Sequence, residues 1–143
     1  MENDTTKLLR ECNAGIKMGE SAIKQVLPKA KDRELRRALE VTKNTHAELG
    51  DKTHQKLLQQ GADTKDPHAI VRMMSDAKTK MVMMMNTSDS TIADLMTDGC
   101  NMGIKSLSRY LNRYSKADDE ARELAKRLIA SEEYLEGKLR NFL

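Results

Sequence analysis

The sequence predicts an all-α fold: one four-helix bundle assembled from two related helical hairpins. Three observations carry that expectation. Apolar residues recur at three- and four-residue spacing along most of the chain. Strand formers are scarce, with no Trp, one Phe and three Tyr, while 33% of residues are charged and 38% hydrophobic, a balance suited to amphipathic helices. A length of 143 residues is enough for one core and too short to divide comfortably into two. The expected layout is a single domain over 1–143, with a first hairpin at 5–61, a crossover helix at 66–86 and a second hairpin at 89–143.

The first helix is expected from Thr6 to Val26, because Leu8, Cys12, Gly15, Ile16, Gly19, Ile23 and Val26 form one stripe and Pro28 ends it. Asp32 is a candidate N-cap for the second helix, whose stripe holds Leu35, Ala38, Leu39, Thr42, Thr45 or His46, and Leu49, and which ends before Gly61. The short link makes these two an antiparallel pair. Asp66-Pro67 reads as an N-cap followed by proline in the first turn of a further helix reaching Met85. Ser88 or Asp89 caps the next helix, which carries Ile92, Leu95, Met96, Met102, Gly103, Leu107 and Leu111. A last helix starts near Asp118 and lines up Ala121, Leu124, Ala125, Leu128, Glu132, Leu135 and Leu139.

An internal repeat relates the two halves. Cys12-Asn13-Ala14-Gly15-Ile16-Lys17 returns as Cys100-Asn101-Met102-Gly103-Ile104-Lys105, five identities in six at similar places in their helices. The helices that follow align more loosely, with Leu35, Thr45, His46 and Leu49 against Ala121, Ser131, Glu132 and Leu135. We read this as duplication of a hairpin. The segment from Pro67 to Met85 sets the topology: ~18 helical residues at ~1.5 Å each span ~27 Å, the length of a bundle helix, so it can cross over and leave the second and third bundle helices parallel.

Duplicated hairpins joined by a long crossover resemble the ferritin-like superfamily, in particular an uncharacterised bacterial branch of it made of domains of unknown function. The likeness covers nearly the whole chain and rests on the helix layout and on Glu11-Cys12-Asn13-Ala14-Gly15, Asp32-Arg33-Glu34-Leu35 and Ser131-Glu132-Glu133. The resemblance implies a test of chemistry, because metal-active members take one carboxylate from each of two helices and Glu-x-x-His from each of the others. Here the residues three before His46 and His54 are Lys43 and Asp51, and the last helix has no His, so the di-iron ligand set is incomplete.

Stacking the helix midpoints puts Gly15 or Ile16, His46, Met102 or Gly103, and Glu132 in one layer. Two readings compete for His46 and Glu132. As remnants of a metal site, with Glu11, Glu20 or Glu48 rotated in, they would suit iron, zinc or manganese. As a buried polar pair, His46 donates to Glu132 opposite glycines that let the helices approach, and this reading is favoured.

Cys12 and Cys100 make no CxxC signature and are expected as reduced core thiols, displaced along the bundle beyond disulfide reach. The cluster Met73, Met74, Met81, Met83, Met84 and Met85 is read first as a gap-filling face, with copper(I) binding and partner-helix docking as rivals. Because Met81 to Met85 is apolar all round a helix, Met81, Met83, Met84 and Met85 are the expected partner contact of a homodimer.

A net charge of +3 with both signs interleaved supplies no clustered Lys and Arg for nucleic acid. No basic start followed by an apolar run and no ~18-residue apolar stretch is present, so a cytoplasmic protein without membrane contact is expected. Phosphate-cradling loops, nucleophile elbows and zincin motifs are missing. The function expected is a non-enzymatic structural or protein-interaction domain without a cofactor, and the alternative is a degenerate metal site at His46 and Glu132.

Overall fold

The computed structural model describes residues 2–63 and 87–143, and the described residues are helical, without strands. Four helices make up the bundle: α1 (Asp4–Val26), α2 (Arg33–Gln59), α3 (Asp89–Arg113) and α4 (Asp119–Leu139). Short 3₁₀ turns follow α1 at Leu27–Lys29 and α4 at Arg140–Phe142. The crossover helix expected at 66–86, with Met81, Met83, Met84 and Met85, lies outside the described residues.

Each helix begins on a side chain able to take up its free N–H groups. Asn3 accepts from Thr6 N–H, Asp32 from Glu34 and Leu35 N–H, Ser88 from Thr91 N–H, and Asp118 from Ala121 N–H. Caps of this kind contribute ~1 kcal/mol each. At its far end α2 stops at Gln60 and Gly61, whose φ of +69° is a left-handed conformation that a side chain disfavours.

The apolar stripes meet in two clusters. One joins Leu8, Cys12 and Ile16 of α1, Leu49 and Leu57 of α2, Leu107 and Leu111 of α3, and Leu124 and Leu128 of α4. The other joins Ile23 and Val26, Leu35 and Leu39, Ile92, Met96 and Cys100, and Leu135 and Leu139. The halves contributed to each cluster set the directions: α1 is antiparallel to α2, α3 is antiparallel to α4, and α2 runs parallel to α3. α1 packs on all three of the other helices, and α4 also lies against α2. Cys12 and Cys100 fall in different clusters as free buried thiols.

The hairpins clasp each other at both ends through matching contacts. At the start of α1, Asp4 accepts from Lys116 N–H at 3.0 Å and Thr5 from Asp118 N–H at 2.9 Å. At the start of α3, Asp89 accepts from Lys31 N–H at 2.8 Å and Asp32 N–H at 2.9 Å. Each helix start thereby holds the turn of the other hairpin. Asp89→Ala removes two acceptors at an exposed site and is expected to lower the unfolding free energy by about 1 kcal/mol in urea titrations.

A third clasp joins Lys56 of α2 to Asp118 and Glu120 of α4, each at 2.9 Å. Partial burial pushes the Asp118 carboxyl up, but the Lys56 ammonium and the Ala121 N–H outweigh it and hold the group below its ordinary range. A depressed carboxyl contributes stability above its ordinary range and loses it as pH falls. Thermal melting should therefore weaken below the ordinary carboxylate range, and less steeply in Lys56→Met. An equal slope in both proteins would remove this assignment.

Candidate functional site

Between the two apolar clusters lies a polar layer. The buried stripe of α2 runs Leu35, Ala38, Leu39, Thr42, His46, Leu49, so helical periodicity carries the imidazole into the bundle along with the leucines. On α4, Ser131 lies between the buried Leu128 and Leu135, and Glu132 follows it toward α2. His46 is 0% exposed, and the Glu132 side chain is 12% exposed. The ring meets the carboxylate with Nε2 at 2.8 Å from Oε1, while Nδ1 is 3.0 Å from the Thr42 carbonyl and 3.5 Å from Ser131 Oγ.

The Thr42 carbonyl can only accept, so Nδ1 carries a hydrogen and donates it. The contact on the other side of the ring then holds one further proton between Nε2 and Oε1. Imidazolium with carboxylate and imidazole with carboxylic acid have the same total charge, zero. Both ring nitrogens are satisfied within the protein, as a buried histidine requires.

Glycine makes the room. A Cβ added to Gly19 would stand 2.8 Å from both Cδ2 and Nε2 of His46. One added to Gly103 would be 3.5 Å from Glu132 Cδ and 3.7 Å from Oε2, ordinary contact. Burial, with the Glu132 and Glu136 carboxylates nearby, pushes the buried Cys100 thiol above its ordinary range and keeps it a protonated thiol. Burial likewise pushes the Cys12 thiol up to about 12. One turn beyond Glu132, Glu136 accepts from Arg140 at 3.1 Å through Oε1, and its Oε2 and Thr97 Oγ1 are buried without a hydrogen-bond partner among the described residues.

No family model, curated protein or solved structure matches the chain.

The structure brings together His46 and Glu132 and separates the other carboxylates read as possible additions. Glu11 lies against Tyr110 across α1 and α3, and burial raises its carboxyl above the ordinary range. Arg113 covers the Tyr110 ring at 5.9 Å, and Tyr114 stacks on it at 6.1 Å. Glu48 is on the surface with Lys52 and Arg127, each at 3.2 Å. Glu20 lies beside Gly50 of α2, where an added Cβ would be 3.6 Å from its Oε1.

Of the first-helix residues expected in the layer, neither Gly15 nor Ile16 faces His46. Gly15 approaches Leu128, Ile16 joins an apolar cluster, and Gly19, one turn later, meets the ring. On α3 the choice falls to Gly103, since Met102 is 57% exposed. Cys100, Thr42 and Ser131 were not read as part of the site. Thr42 precedes His46 by one turn, the only sequence signal for the carbonyl partner.

This donor set does not fit a two-metal carboxylate centre. The α1 and α3 residues that face the pair are Gly19 and Gly103, which offer no side-chain donor, and the thiol nearest the pair is protonated. Among the described residues no group of three or more His, Cys, Asp and Glu side chains is arranged to hold a metal ion. Among them, too, no helix is long and apolar enough to cross a membrane.

Proposed function

We propose that this chain is a ferritin-like four-helix bundle derived from a duplicated hairpin, and that it serves as a non-enzymatic structural or protein-interaction domain. The observation that carries the reading is the His46–Glu132 bond at 2.8 Å, with the second ring nitrogen committed to Thr42. A histidine held on both sides by its own protein orders helices. To ligate a metal through Nε2 it would first have to lose the Glu132 bond. The matching clasps at Asp4 and Asp89 support the duplication, because the start of each hairpin holds the turn of the other. In this reading the bundle acts through its outer surface as a homodimer, and a monomer at all concentrations in sedimentation would count against that part.

Metal content per chain tests the reading directly. The protein is incubated anaerobically with Fe(II), Zn(II) and Mn(II), freed of loosely held ions and measured by elemental mass spectrometry. Background levels are expected. One or two equivalents, abolished in His46→Ala, would replace this proposal with a metal-binding protein whose centre is built on His46 and Glu132.

A further inference from the structure

Charge of both signs is interleaved along most of this chain but not on α3. Between Asp98 and Asp118 there is no Asp or Glu, and the same stretch carries Lys105, Arg109, Arg113 and Lys116, all exposed. The neighbouring helices are built differently. Every exposed Lys or Arg of α2 and α4 has a carboxylate within four residues, inside the reach of a helical i to i+4 pair, whereas Lys105, Arg109 and Arg113 have none. Among the described residues none of Lys105, Arg109 and Lys116 is in an ion pair. Lys105, Arg109 and Arg113 stand at i, i+4 and i+8 on one side of the helix and span ~12 Å. Arg113 lies over the Tyr110 ring beside the half-buried Glu11, and Arg122 of α4 donates to the Leu111 carbonyl at 3.1 Å, which brings one more cation to the edge of the stripe. A cation in the last turn of a helix answers the negative end of that helix, which accounts for Arg113. Lys105 and Arg109 stand before that turn and have no such local reason.

The stripe is also bounded. Asp94 and Asp98 continue the same line of α3 at one end, with Met102, 57% exposed, between them and Lys105, and Asp118 and Asp119 follow at the other. A polyanion that runs past both ends, such as a nucleic-acid duplex, meets those carboxylates. One exposed methionine is too little apolar surface for a face that lies in a bilayer. A short acidic segment meets neither obstacle. We infer that this face of α3 docks an acidic segment of a partner protein, about three helical turns long, with Asp or Glu at four-residue spacing against Lys105, Arg109 and Arg113 and an apolar side chain against Met102. The inference rests on the reading of this chain as a protein-interaction domain, and it names the contact surface and the chemistry of the partner.

Fluorescence anisotropy of the full-length protein tests it, with a labelled helical peptide carrying Glu at i, i+4 and i+8, at low ionic strength where exposed charges are least screened. Wild type is expected to bind, and Lys105→Glu/Arg109→Glu to bind about 10-fold more weakly or worse, because like charges then face each other. Both residues are exposed, so an unchanged melting temperature separates a lost contact from a lost fold. Arg33→Glu/Arg37→Glu makes the same change of net charge on the exposed side of α2 and should weaken binding by less than about 2-fold. Equal weakening in the two double variants would reduce the binding to net charge and overturn the inference. Short duplex DNA bound as tightly as the peptide, or retention on vesicles of anionic lipid, would overturn it as well. Metal content is measured on the same protein: one or two equivalents would remove the interaction-domain reading and this inference with it. Background metal beside a peptide that does not bind would remove the inference alone.

Discussion

Replacing Glu132 with alanine is expected to lower the unfolding free energy by about 3–5 kcal/mol, the cost of leaving one half of a buried pair alone. His46 is 0% exposed and cannot swing to water, so its Nε2 would face a cavity. The 12% exposure of the Glu132 side chain lets some water reach the gap, which places the expected loss near the lower end of that range. His46→Leu/Glu132→Leu, which removes both polar groups and refills the space, should lie within about 1–2 kcal/mol of wild type, because an apolar pair needs no partner. Guanidinium titration of the three proteins reads the difference. A Glu132→Ala loss under about 1 kcal/mol would mean that the pair is solvated in solution and orders nothing.

The second large effect concerns a glycine. Gly19→Ala should cost about 1–3 kcal/mol even though alanine favours a helix by up to about 1 kcal/mol. The reason is local: the new methyl carbon would stand 2.8 Å from two atoms of a ring tied on one side to Thr42 and on the other to Glu132, and either the ring or α1 must shift. Gly99→Ala is the matching control, since nothing lies within 4 Å of a Cβ built there, and it is expected to stabilise by about 0.5–1 kcal/mol. The clash should vanish in His46→Ala, where Gly19→Ala would show the helical gain instead. A double-mutant cycle with no coupling between positions 19 and 46 would remove the close approach from the account.

Much of the local structure was legible because it depends on local chemistry. Asp32, Ser88 and Asp118 stand as N-caps where short oxygen-bearing side chains precede amphipathic runs, and the helices end within a few residues of the expected places. His46 and Glu132 could be paired because the repeat assigns them to one layer and the chain offers few other polar residues on those stripes. The glycine opposite His46 was misplaced by one turn. Sequence spacing sets the angular position of a residue on a helix, but not how far one helix slides along its neighbour, and a rise of only ~6 Å separates Gly15 from Gly19. The same freedom hid the fate of Glu11, which packs with Tyr110 and not with the pair.

The sequence by itself determined the four described helices, the caps at Asp32, Ser88 and Asp118, the apolar stripes and the two buried thiols, since these follow from residue types a few positions apart. Only the tertiary structure decided that Gly19 faces His46, that Cys100 lies near Glu132, and that Asp4 and Asp89 each hold the opposite hairpin's turn. Those contacts join residues up to 112 positions apart in the chain, and their geometry depends on how whole helices settle against one another.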